Sequence, residues 1–292
     1  RVNERLGLPS FHNVEITDIL QRKDLLRQAL DGAGLSPVQH RKLTSVRDLE
    51  GFAAYPAIVK PSDSQGQRGI TIVETPEEAI GVVETALGFS NSETAIIEEW
   101  LDGPEISVHV FAVDGRVRFF LPSDRHVWSG DMIGVASGHT IPSYAIDSSG
   151  RDAVRSLVQD FVTSLNVETG PLYFQMIVTK SGPRIIEVAS RLDGCHLWRL
   201  IEQNTGFNLM AACFDVLAGD PWVDPELRDD GTTDVLGFHL GPPDQPFHIS
   251  NYLVPDEPTM TFQEIQVVDG DLPRDVNGVV SRLGYYMTTQ RS

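Results

Sequence analysis

The alternation of apolar and polar positions divides the chain into elements. In residues 18–33, DILQRKDLLRQALDGA, an apolar stripe of Ile19, Leu20, Leu25, Leu26, Ala29 and Leu30 predicts one amphipathic helix, stopped by Gly32 and Gly34. Apolar runs at 56–60 and 70–73 predict strands with a polar loop between them. Thr75-Pro76-Glu77-Glu78 predicts a helix start: Thr75 caps, Pro76 fits the first position and Glu78 closes a capping box. That helix reaches about Leu87, and TAIIE at 94–98 predicts another strand, so the segment from about 44 to 100 reads β, β, α, β. ISVHVFAV (106–113) and RVRFFL (116–121) flank Asp114-Gly115, a strong hairpin signal. Residues 123–143 are polar and contain glycine, which predicts a long loop with short elements. In 151–166, Val154, Leu157, Val158, Phe161, Val162 and Leu165 share one helical face. A second hairpin joins LYFQMIV (172–178) to RIIEVAS (184–190) through Lys180-Ser181-Gly182-Pro183. A helix at about 207–218 ends at Gly219, and 232–287 alternates like short strands. Hairpins joined by helices indicate an α+β design rather than an alternating doubly wound sheet.

Composition narrows the chemistry. The 292 residues carry 23 basic and 41 acidic side chains, a net charge of −18, which argues against a nucleic-acid partner. It leaves room for an anionic small ligand held by local cations and backbone N–H groups. Cys195 and Cys213 are the only cysteines; they make no disulfide framework and fit no zinc spacing, so a reducing cytoplasm is expected. No apolar run is long enough to span a bilayer, and no membrane partner is expected. The first residues lack the apolar core of a signal peptide and begin without Met, which predicts a missing leading segment.

Three stretches carry candidate chemistry. In IVKPSDSQGQRGI (58–70), a strand ends at Lys60 and a loop follows with Gly66 and Gly69, matching neither short phosphate motif. In the second hairpin, a turn centred on Ser181 sets Gln175 opposite Glu187, with Ala189 on the same face. A carboxylate beside an amide can hold a hard cation through oxygen, although a solvated sheet face has the same appearance. In IIEEWLDGPE (96–105), a strand end beside apolar side chains suits an adenine ring, and Glu105 suits a ribose diol. Read alone, the same stretch is a common turn between strands.

The order of these pieces is itself informative. Lys23 in LQRKDLLRQALDGAGL, Lys60 in AIVKPSDSQGQRGI, then IIEEWLDGPEISV and YFQMIVTKSGPRIIEVASRLDG resemble the ATP-grasp superfamily of carboxylate–amine ligases. SGHTIPS (137–143) and the C-terminal SRLGYY point to the L-amino acid ligase-like branch. The resemblance implies two α+β lobes clamping ATP. Residues 1–41 would be the remnant of an N-terminal domain and a linker helix, 42–100 a small lobe, 101–222 a large lobe, and 223–292 a β-rich C-terminal subdomain. Lys23 and Lys60 would contact phosphates, and 62–69, with Ser62, Ser64, Gly66 and Gly69, would form a loop over the triphosphate. Glu98, Glu99, Trp100 and Leu101 would border the adenine and Glu105 the ribose. Glu187, helped by Gln175, would hold Mg2+, and Arg191 would stabilise an acyl phosphate.

Arg125, His139 and His196 are candidates for substrate contact, Arg125 as a carboxylate clamp. Gln175 and Ala189 depart from the family pattern, which usually has a carboxylate and an asparagine there. The implied partners are a small-molecule carboxylate and an amine, with a homodimer and a carrier protein left open. The implied reaction is ATP-dependent amide bond formation. The alternatives are an ATP-binding module that has lost turnover and a ligase that delivers its acyl group to a carrier-protein thiol.

Overall fold

The computed structural model describes residues 2–64, 68–128, 134–242, 245–252, 259–273 and 281–291, without the side chains of Glu4 and Arg291. Two antiparallel sheets organise it. The smaller contains β1 (His40–Leu43), β2 (Ala57–Pro61), β3 (Thr71–Val73) and β4 (Ala95–Glu99) in the order β1-β4-β2-β3. Its strands alternate strictly. Leu43, Val59, Val73, Ala95 and Ile97 face one way and bury Ala79, Val83 and Ala86 of helix α4 (Pro76–Gly88). The opposite face carries Lys60 and Glu98, each one position from a member of that set.

The larger sheet has eight strands. They are β5 (Glu105–Val113), β6 (Arg116–Val127), β7 (Ala136–Ile141), β8 (Gly170–Thr179), β9 (Gly182–Ala189), β10 (Thr232–Gly241), β11 (Met260–Ile265) and β12 (Ser281–Arg291). Their order is β11-β12-β10-β7-β6-β5-β8-β9. One face packs Val108, Phe174 and Ile185 against α5 (Ser148–Ser164), α2 (Val14–Gln21) and α3 (Lys23–Ala33). The other packs Phe111, Phe119, Tyr173 and Tyr285 against α6 (Leu197–Thr205) and α7 (Leu209–Ala218). A short α1 (Val2–Leu6) precedes these elements. Covering both faces explains the near-continuous burial of β5. The strands drawn from 223–292 belong to this sheet, β10 pairing with both β7 and β12.

Four sequence expectations change. The helix expected over 18–33 is two helices, because Arg22 is extended (φ −117°, ψ 115°). The break frees the Lys23 N–H to reach the Ser62 carbonyl at 2.8 Å. Side-chain periodicity runs through a one-residue break without a trace. Gly34, at φ 67°, ends the second helix, and Gly32 lies inside it. The loop expected at 123–143 is largely strand: β6 runs to Val127 and β7 covers Ala136–Ile141, with 129–133 outside the described residues. Its polar side chains are buried, as at Ser123 and Asp124, so composition hid the strands. Helix α6 was not anticipated. In the second hairpin the turn is only Lys180-Ser181, since Thr179 pairs with Gly182. A bulge between Ile185 and Glu187 then restores the register, and Gln175 does sit opposite Glu187.

One buried cluster ties the lobes together. Arg27, on α3, donates from Nε (2.8 Å) and Nη2 (3.1 Å) to both carboxylate oxygens of Glu98 on β4. Its Nη1 donates to the Ile185 carbonyl on β9 (2.7 Å). Lys60 Nζ donates to the same Glu98 (2.6 Å). Arg27 is 2%, Lys60 4% and Glu98 2% exposed, so both cations are buried around one carboxylate. Burial alone would push the Glu98 carboxyl up, but the Arg27 and Lys60 cations outweigh it and hold Glu98 well below the usual carboxylate range. For Lys60, burial outweighs the attraction of Glu98 and lowers its pKa.

The chain between the sheets turns at Gly103, where φ is 152° and a Cβ would stand 2.2 Å from the Val178 carbonyl oxygen. Gly103→Ala is expected to destabilise the protein by about 2–4 kcal/mol. Gly81→Ala, in open space on α4, is expected to stabilise it by about 0.5–1 kcal/mol. Denaturant melts of both variants check the pair, and equal effects would contradict the close approach. Glu98→Gln leaves two buried cations short of their anion and is expected to cost about 3–5 kcal/mol at neutral pH. Because the folded pKa of Glu98 is depressed, its contribution is complete above its unfolded value of about 4.3 and is lost as pH falls below that. The deficit of Glu98→Gln should therefore shrink between about pH 5 and about pH 3. A deficit independent of pH over that range would show that the folded pKa of Glu98 is not depressed.

Candidate functional site

Lys60 comes to the interior because β2 alternates, with Ala57 and Val59 toward α4 and Lys60 toward the lobe interface. Lys23 opens α3, and its Nζ donates to the Ser64 carbonyl (2.9 Å). Its charge also bears on Lys60. Both lysines, Ser62 and Ser64 thus gather at the start of the polar loop. Ser62 is fully buried, and its Oγ has no partner among the described residues. The two stems of the loop rest on one turn. Asp63 accepts from Ser90 Oγ (2.7 Å), Asn91 N–H (3.0 Å) and Ser92 N–H (2.9 Å). Gly69, at φ 73°, lies flat against the Phe89 ring, where a Cβ would stand 2.7 Å from the ring. Gly66 lies outside the described residues.

The strand-end group divides. Glu98 is committed to Arg27 and Lys60. Glu99 accepts from the Gln39 N–H through Oε1 (2.8 Å), and its own N–H goes to the Gln39 carbonyl. Trp100 is 39% exposed, with its N–H bonded to the Pro56 carbonyl (2.8 Å). The Leu101 N–H, next in line, has no hydrogen-bond partner among the described residues. The result is a β4 end with one free main-chain donor beside apolar side chains. Glu105, which opens β5, pairs with Arg125 on β6 at 2.5 Å. Arg125 also donates to the Gly134 carbonyl (2.9 Å), so it is engaged on two sides.

On the larger sheet, strand pairing aligns a polar row across four strands: Glu187, Gln175, Ser107 and Ser123. Ser107 Oγ and the Tyr173 hydroxyl lie 2.8 Å apart beneath it, and burial pushes the Tyr173 pKa up. Ala189 pairs with Tyr173 and packs against the apolar core of that face, so it adds no donor. Glu187 follows Ile185 by two residues, and Ile185 is pinned by Arg27 at its carbonyl and by Ser36 Oγ at its N–H (2.7 Å). The Arg27 guanidinium therefore links the Lys60 end of the site to the Glu187 end. Arg191 is exposed and its Nη1 donates to the Leu192 carbonyl (2.7 Å). Asp193 accepts from the Cys195 N–H (2.5 Å), and burial pushes its carboxyl up.

The two candidate histidines sit differently. His139 is 1% exposed, paired across β7 and β6 with Arg125, and its Nδ1 has no partner among the described residues. Burial first, then the Arg125 charge, holds its pKa well below the ordinary value, so the ring is neutral. His196 is the left-handed residue (φ 61°) that starts α6, stacked on Tyr285 at 4.0 Å. Burial lowers its pKa against the pull of Glu264. Sequence reasoning missed Arg27. The available signal was its spacing of four from Lys23, which puts both on one helical face.

Comparison with known proteins bears on the family and the fold. The family model for the phosphoribosylglycinamide synthetase ATP-grasp (A) domain matches residues 23–194. A phosphoribosylamine–glycine ligase of Streptococcus pyogenes serotype M6 is 29% identical over 164 residues, 49% of this chain and 39% of the relative. The large chain of the mitochondrial arginine-specific carbamoyl phosphate synthase of Neurospora crassa is 24% identical over 213 residues, 69% of this chain and 18% of the relative. The chain thus spans less than half the length of these curated relatives. Among solved structures, an L-amino acid ligase from Bacillus licheniformis superimposes with a TM-score of 0.77 at 19% identity, covering 99% of this chain and 71% of that one. A phosphoribosylglycinamide synthetase from Anaerococcus prevotii gives 0.70 at 17% identity, covering 100% and 74%. The fold is the ATP-grasp fold, and with 23–194 matched the chain belongs to the phosphoribosylglycinamide synthetase ATP-grasp (A) domain family.

Proposed function

We propose that the protein is an ATP-dependent ligase that joins a carboxylate to an amine, the amine being that of an amino acid. The observation that carries this reading is the Arg27–Glu98–Lys60 cluster, which buries two cations against one anion beside the Leu101 donor. An excess buried positive charge next to a loop with backbone and hydroxyl donors suits a polyphosphate. The Leu101 N–H would donate to the adenine edge, and Lys23, Lys60, Ser62 and Ser64 would hold the phosphates. Glu99 and Trp100 would wall the base, and Gly69 would let the loop backbone come close. Glu105 would take the ribose hydroxyls by exchanging part of its bond to Arg125. A structure of similar fold, the biotin carboxylase domain of the Hydrogenobacter thermophilus 2-oxoglutarate carboxylase, was solved with MgADP, in line with this assignment.

The donor set also fits magnesium in a particular way. Among the described residues no group of three or more His, Cys, Asp or Glu is arranged to hold a metal. Glu187 and Gln175 offer one carboxylate and one amide oxygen, which suits an ion that takes its other ligands from phosphates and water. Bound there, Mg2+ would neutralise charge developing on the transferred phosphoryl group. The substrate carboxylate oxygen attacks the γ-phosphorus, the bond to the β-phosphate oxygen breaks, and ADP leaves. The amine nitrogen then attacks the acyl carbon, phosphate leaves, and the amine gives up a proton. In this reading Arg191 would balance the charge of the acyl phosphate and then of the tetrahedral oxyanion. The single carboxylate favours a second reading, a module that binds nucleotide without turnover. The protein would work in the cytoplasm under either reading.

An ADP-release assay over a panel of acids and amino acids tests the ligase. Substrate-dependent release supports it, and MgATP binding with no release under any pair supports the second reading. Lys60→Met keeps Glu98 paired with Arg27, and is expected to weaken MgATP binding by at least about tenfold in calorimetry. Unchanged affinity would remove the phosphate role of Lys60. Gln175→Glu adds a carboxylate opposite Glu187, and is expected to lower the Mg2+ concentration needed for half-maximal nucleotide binding. Glu187→Gln should raise it by at least about tenfold. If neither variant moves the Mg2+ requirement, the metal lies elsewhere.

A further inference from the structure

Beyond the polar row, the sheet face under α6 carries three aromatic rings on three adjacent strands. Phe238 on β10 is the cross-strand partner of Tyr285 on β12, and Phe262 on β11 stacks on Tyr285 at 5.5 Å. One basic side chain lies on each ring. Arg282 stands over Phe238 (5.2 Å), His196 over Tyr285 (4.0 Å) and Arg199 over Phe262 (4.3 Å).

Arg282 is on this face only because β12 is bulged. His239 pairs with Gly284 but Leu240 pairs with Arg282, so Leu283 is an extra residue in β12. Without it, the period of two would set Arg282 and Tyr285 on opposite faces. The bulge turns the guanidinium toward Phe238 and toward the Cys195–His196 segment, whose groups register its charge.

Neither Arg282 nor Arg199 has a carboxylate within salt-bridge distance among the described residues, in a chain of net charge −18. Arg199 Nε is buried with no partner among the described residues. The nearby Glu264 is already occupied, accepting from the Tyr285 hydroxyl (2.9 Å) and the Gln266 amide (2.9 Å). Two guanidinium groups set over rings, with no carboxylate within salt-bridge distance among the described residues, leave N–H groups for one from outside. Planar, paired donors match a carboxylate.

Resting on the ligase reading, we propose that Arg282 and Arg199 form the subsite for the carboxylate of the amine-bearing substrate, which makes that substrate an amino acid rather than a simple amine. The subsite starts just past Arg191 in the chain, at the first turn of α6, so an acceptor held there by its carboxylate would extend its amino group toward the acyl-transfer end of the site.

The test is direct binding. The twenty common α-amino acids, and the α-amide of each one that binds, are titrated by calorimetry into the wild type, Arg282→Gln and Arg282→Lys. The wild type is expected to bind at least one amino acid, at least about tenfold more tightly than its α-amide. Arg282→Gln should lose that preference while its amide affinity stays the same, and Arg282→Lys should restore part of it. A wild type that shows no preference overturns the proposal. So does an Arg282→Gln variant that keeps the preference, because the arginine then serves packing alone. ADP release on the same samples separates the two readings. Carboxylate preference without ADP release retains the subsite and removes the ligase. Release with the preference intact in Arg282→Gln does the reverse.

Discussion

The Arg27 guanidinium sets the relation between the two sheets. Its planar fork spends two N–H groups on Glu98 of the smaller sheet and a third on the Ile185 carbonyl of the larger. A lysine has no such geometry: its ammonium is a point charge and cannot hold a carboxylate side-on while reaching a second strand. Through Arg27, the strand that carries Lys60's partner and the strand that carries Glu187 share one rigid link. The cluster is buried and carries an excess positive charge, which is costly in the free protein and is relieved by any anion that settles against it.

Legibility in the sequence followed the physics of each element. The β2, β4, β5 and β8 strands could be read because their apolar positions face packed cores. The end of β6 could not, because Ser123, Asp124 and Arg125 are polar side chains with polar partners on both faces of the strand and look like loop residues. The Arg22 break could not be read either, since a helical stripe is a statement about side chains and the break is in the backbone. At the site, the residue types and order of Lys23, Lys60, Glu98 and Glu187 were visible. That Glu98 is saturated by cations, and Glu105 by Arg125, depends on partners 71 and 20 positions away. No local pattern encodes those distances.

Two β-bulges share one logic. Each breaks the period of two at a single residue and changes which side chains stand together. On β9 it brings Glu187 opposite Gln175 despite a turn one residue shorter than symmetry requires. On β12 it brings Arg282 onto the face of Tyr285. Both lie on strands whose other residues alternate regularly, so each adjusts a side chain without disturbing the sheet around it.

The anchoring of the polar loop has an evolutionary consequence. Asp63 and Gly69 both rest on the turn from Phe89 to Ser92, so the ends are fixed independently of the chain between them. Lengthening that chain then costs only closure entropy, which rises by about 0.6 kcal/mol for each doubling of loop length. Insertions and deletions between the two anchors are therefore cheap, and related proteins can diverge in loop length there while β2, β3 and the buried cluster beneath them stay in register.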